Sequence, residues 1–153
     1  MMEKVKHVAQ VEAAIAAEGL TDEQIAQERE FMKGLPRLNW GALFMAPIWG
    51  PAHGMWATFL YYPLWIFVDN CVFAAVHEPS PLSVSVAVLL SVVTVASCVV
   101  FAIVSQPLAA HRAERLGVSR ATYLTRERIW AVAGALGAAA VVALATWYNL
   151  NVR

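Results

Sequence analysis

The chain has 153 residues with 11 basic and 11 acidic side chains, so it carries no net charge; 59% of its residues are hydrophobic and 14% charged. Soluble domains average about 45 to 50% apolar and about 25% charged residues, so the composition excludes an ordinary soluble globule, and the balanced charge points to no nucleic-acid partner. The charges are also segregated: between Arg37 and Arg112 the only ones are Asp69 and Glu78, a neutral run that a soluble surface would not carry. The expected class is all-α and integral to a membrane.

Residues 1–37 read as a separate amphipathic helical hairpin. Val5, Val8, Val11 and Ile15 recur at helical spacing with Glu3, Lys4, Lys6 and Glu12 off that stripe, and Gly19 stands at a C-cap position. Thr21 followed by Gln24 forms a capping-box pattern, and Asp22 and Glu23 suit a helix N-terminus, so a second helix is predicted to about Lys33, ended by Gly34 and Pro36. Two such helices are too small to hold a core alone and are expected to pack on a membrane surface, a partner protein or a second copy. The mixture of acids and bases, without an apolar run, excludes a signal peptide.

Residues 38–53 are apolar and Trp-rich but interrupted by Gly41, Pro47, Gly50 and Pro51. Each proline removes a helical donor, and Trp40 and Trp49 favour the headgroup boundary, so the segment is predicted as a bent half-helix, interfacial or re-entrant. Three apolar stretches follow, residues 55–76, 83–104 and 130–148, each roughly the length that crosses a bilayer.

The run Asn39-Trp40-Gly41-Ala42-Leu43-Phe44-Met45-Ala46-Pro47-Ile48-Trp49 resembles the signature N-W-x-A-x-x-x-G-P-x-W of a family of small bacterial membrane proteins grouped as domain of unknown function 2628, with Ala46 where the family usually has Gly. Tyr123, Arg126, Glu127 and Trp130 resemble a second part of that pattern, a basic stretch opening the last span. The resemblance implies a multi-span helical protein of the bacterial inner membrane and supplies no active site to transfer.

In the first span, Pro63 is expected to produce a kink by removing the bond to the Phe59 carbonyl. Asp69 and Asn70 form a candidate intramembrane polar site about ten ångströms from the outer end, where a charge is costly. In the second span Ala87, Ser91, Thr94, Cys98 and Ala102 form a stripe of small side chains, and in the third Gly134 and Gly137 lie on a broader alanine face. In lipid such faces permit close backbone approach, so spans two and three are expected to pack on each other, or one of them on a copy of itself. Cys71 and Cys98 lie at different depths, about 8 and 24 Å from the outer surface, and are expected to stay unpaired.

Residues 105–129 are expected as a basic loop with five arginines, of which Arg112 and Arg115 lie on a helical stretch ended by Gly117, whereas the connection at residues 77–82 has no Lys or Arg. The positive-inside rule therefore puts the basic segment and the N-terminus inside and the C-terminus outside. Arg112, Arg115, Arg126 and Arg128 are candidate contacts for anionic lipid headgroups, and pairing with Glu114 and Glu127 is the alternative. His53 and His111 fall near the inner boundary, where a bis-imidazole haem site has little support. No hydrolase, redox, metal or nucleotide motif occurs, so no catalytic residue and no cofactor is expected. The functional expectation is a non-catalytic structural or accessory subunit, contacting the bilayer and a protein partner or its own copy. The alternative is an oligomeric transporter or channel using Asp69 and Asn70.

Overall fold

A computed structural model describes residues 21–152, all of whose regular elements are helical, and the first helix of the expected hairpin lies outside the described residues. The chain divides into two compact units, Met1–Leu35 and Pro36–Arg153. In the first unit, helix α1 (Asp22–Met32) begins with the expected capping box: the Gln24 amide donates to the Thr21 hydroxyl at 3.3 Å and the Thr21 amide to the Gln24 side chain at 2.9 Å. Gly34, at φ 71°, turns the chain after it.

The second unit contains α2 (Trp40–Ala52), a 3₁₀ turn (Trp56–Leu60), α3 (Tyr61–His77), α4 (Pro81–Arg115) and α5 (Arg120–Asn151). Three of its helical stretches, Trp56–His77, Pro81–Arg115 and Arg120–Asn151, are long and apolar enough to cross a membrane. Their outward faces are lined by large apolar side chains such as Ile66, Val92, Val142 and Leu144, compatible with contact to lipid tails.

Helix α2 is bent, as the prolines require. Met45 leaves helical geometry two residues before Pro47, at φ −138° and ψ 50°. It packs against α5 and α4, and Gly41, Ala42, Met45, Ala46, Pro47, Trp49 and Gly50 are buried. Small residues allow this closeness. A Cβ on Gly134 would lie 3.5 Å from the Gly41 carbonyl oxygen, and one on Gly137 would lie 3.6 Å from the end of the Met45 side chain.

Within one chain, spans two and three do not pack on each other through these faces. The Gly134 and Gly137 face of α5 receives α2, and α4 and α5 barely touch. The α4 stripe, with Ala87, Thr94, Cys98 and Ala102 buried and Ser91 half-buried, packs along α3 and then α2. Phe101 meets Tyr61 of α3 at 6.0 Å and Trp49 of α2 at 6.2 Å between ring centroids. The physical reason is that a small-residue face permits any close neighbour, and the wedge of α2 reaches it first.

Two further expectations are corrected. Pro63 does not kink a running helix, because the chain is 3₁₀ up to Leu60 and Pro63 falls in the first turn of α3, where a missing donor is tolerated. The basic segment is mostly helix, since α4 runs to Arg115 and α5 starts at Arg120. At the helical rise α4 is about 52 Å and α5 about 48 Å long, well beyond a hydrocarbon core of about 30 Å.

Candidate functional site

The one continuous buried polar cluster among the described residues lies where α2 meets α4 and α5. Asn39 precedes α2, and its side-chain oxygen accepts from the Ala42 amide at 2.9 Å, the geometry that makes asparagine a strong N-cap. Its two side-chain hydrogens go elsewhere: Nδ2 donates to Gln106 Oε1 of α4 at 2.6 Å and to Glu127 Oε2 of α5 at 2.5 Å. The Asn39 backbone amide donates to the Ala102 carbonyl of α4 at 3.0 Å. One residue, 3% exposed, thus ties three helices together.

Glu127 is the second hub, with its side chain 11% exposed. Besides Asn39, the Trp49 indole donates to Oε2 at 3.2 Å, and His53 Nε2 lies 3.0 Å from Oε1. His53 stacks on Trp49 with centroids 3.9 Å apart, and its Nδ1 lies 2.7 Å from the Trp49 carbonyl oxygen. A carbonyl can only accept, so Nδ1 carries a proton. Glu127 Oε1 is buried and makes no well-aligned hydrogen bond, so its approach to His53 Nε2 is a contact of proximity.

Glu127 was expected, if paired at all, to meet the neighbouring arginines; it turns inward to Asn39, Trp49 and His53 instead. Position on the helix decides this. Tyr123, Glu127, Trp130 and Gly134 follow one another at steps of three and four on the face that α2 covers, whereas Arg126 and Arg128 flank that face. Tyr123 is buried and its hydroxyl points to the Gln106 carbonyl at 3.5 Å.

A cavity of about 220 Å³ adjoins this cluster and is lined by His53, Glu127, Trp130, Arg112 and Arg126 with apolar neighbours. Arg112 and Arg126, two of the four candidate headgroup contacts, are therefore brought together; Arg115 and Arg128 do not line this cavity. Gly54, at φ 81°, closes the turn after α2, and a Cβ there would collide with the Arg112 guanidinium.

At the other end of the helices, Asp69 accepts from Asn149 Nδ2 of α5 at 3.0 Å beside a second cavity of about 300 Å³, between α3 and α5. The Asn70 side chain donates to the Ile66 carbonyl of its own helix at 2.7 Å. Asn149 is thus a polar partner of Asp69 from the last span. The available signal was depth: Asn149 lies near the end of the last apolar run, as Asp69 lies near the end of the first. Cys71 and Cys98 are both free. No family model, no curated protein and no solved structure matches the chain.

Proposed function

We propose that the chain is a non-catalytic integral membrane protein, a structural or accessory subunit of a membrane complex in the bacterial inner membrane. The observation that carries this reading is the use of the buried polar groups. Asn39, Gln106, Trp49 and Glu127 hydrogen-bond to one another and to the backbone, holding α2 between α4 and α5. An acid and base engaged in this way hold architecture and present no nucleophile.

In this reading α2 is a re-entrant half-helix that enters from the cytoplasmic side and ends at the His53 turn. Non-helical backbone at membrane depth needs protein neighbours, and the break at Met45 is buried. The arginine-bearing ends of α4 and α5 lie in the cytoplasmic headgroup region and contact anionic lipid, and the C-terminus is outside. The residue pattern shared with the small bacterial family supports the same assignment.

A second reading has a specific observation in its favour: Asp69 and Asn149 beside a cavity between two spans suit the polar lining of an oligomeric channel or transporter. Purification of the full chain in mild detergent tests both. A stoichiometric protein partner, retained by Asp69→Asn, is the outcome expected for an accessory subunit. A homo-oligomer whose ion flux in vesicles vanishes with Asp69→Asn would replace that reading with the channel.

A further inference from the structure

The cavity beside His53 and Glu127 is unbalanced in charge. Arg112 and Arg126 both line it, and among the described residues neither guanidinium has an ion-pair partner. The only carboxylate on its wall, Glu127, faces His53 with one oxygen and accepts from Asn39 and Trp49 on the other, so one negative charge stands against two arginines. The C-terminal end of α4 adds only a partial negative charge, of order half an elementary charge. Two full positive charges therefore line one half-open cavity.

Arg112 is also held in place. Its guanidinium packs over Gly54, whose positive φ and missing side chain leave it room. Arg112 is otherwise exposed, and a planar, multiply donating group seated on one side against a turn gives up less freedom on meeting a tetrahedral oxyanion than one surrounded by solvent. Trp130 supplies an apolar wall beside it, and such side chains favour the boundary between hydrocarbon and headgroups.

We propose that this cavity is a discrete binding site for one phosphate group, held between Arg112 and Arg126. The group is either the headgroup phosphate of an anionic phospholipid or a soluble phosphate. The inference deepens the reading of this end as a headgroup-contacting region by replacing a diffuse attraction with a single site. Titration with inorganic phosphate in the absence of anionic lipid tests the site separately from the headgroup reading.

The full chain in phosphatidylcholine nanodiscs is titrated with inorganic phosphate, with sulfate-free chloride as the ionic-strength control. In parallel, chain reconstituted with phosphatidylglycerol is examined by native mass spectrometry for retained lipid. Saturable binding of one phosphate or one phosphatidylglycerol per chain is expected. It should weaken roughly tenfold or more in Arg112→Gln and in Arg126→Gln, as loss of a charge-assisted contact implies. Arg128→Gln removes the same charge two residues along α5 and should leave binding unchanged. Gly54→Ala keeps every charge but displaces the Arg112 guanidinium, so it should weaken binding too. Phosphate binding without lipid retention would assign a soluble ligand, and lipid retention alone a headgroup. No saturable binding in either arm, or equal losses from Arg126→Gln and Arg128→Gln, would overturn the site.

Discussion

Asn39 makes five hydrogen bonds, two through its backbone and three through its side chain, and leaves no donor of its own unused. Alanine at this position would remove a helix cap, worth about 1 kcal/mol, and strand the buried Gln106 and Glu127 at about 1 to 3 kcal/mol more. Asn39→Ala is therefore expected to destabilise the chain by about 2 to 4 kcal/mol, read as a large fall in the midpoint of detergent-denaturant unfolding. Glu127 allows a sharper contrast. Glutamine can still accept from Asn39 and Trp49 through its amide oxygen, so Glu127→Gln should stay near wild-type stability. Glu127→Ala should lose about as much as Asn39→Ala. Asn39 and Glu127 stand out in the sequence only as parts of a resemblance, Glu127 also as an acid among arginines. A charge in the middle of a basic run normally marks a solvated face, and nothing short of the α2 docking reveals that this one points inward.

Helices were the legible elements, because an apolar run of bilayer length and a capping pattern such as Thr21 with Gln24 depend on local sequence alone. What each helix touches depends on the whole assembly, and there the small-residue faces gave the right residues with the wrong neighbour. Gly134 and Gly137 do mark a close approach, yet the approaching element is α2, whose Gly41 meets that face. Substitution can separate positions that look alike in sequence. At Gly134 a methyl group would meet ordinary contacts of 3.5 Å or more, whereas at Gly41 it would sit 2.8 Å from the Trp49 ring and 2.9 Å from Trp130 Cβ. Gly134→Ala is expected to be nearly neutral, and Gly41→Ala to cost about 1 to 3 kcal/mol by overpacking. Denaturation of the two variants in the same detergent checks this. Equal stability would mean that α2 is not seated as described.

For the molecule as a whole, the basic ends of α4 and α5 share one side and the turn between α3 and α4 lies at the far end of α4. The two sides are joined by a helix of 35 residues, long enough to put them on opposite faces of a bilayer whose hydrocarbon is about 30 Å thick. Arginine asymmetry then chooses which side is which. The connection at residues 116–119 is flanked by Arg112, Arg115 and Arg120, while the opposite turn carries Glu78 and no basic residue other than His77. The positive-inside bias counts Lys and Arg within about 15 to 20 residues of span ends and gives acidic residues little weight, so the arginine end should be cytoplasmic. Single cysteines at Pro79 and at Leu116, both on exposed turns, read this directly in a chain with Cys71→Ser and Cys98→Ala. A membrane-impermeant maleimide applied to intact spheroplasts should label the cysteine at position 79 at once and that at position 116 only after permeabilisation. The opposite pattern would invert the molecule and move the Arg112 and Arg126 cavity to the outer leaflet; labelling of both without permeabilisation would deny that α4 crosses the membrane.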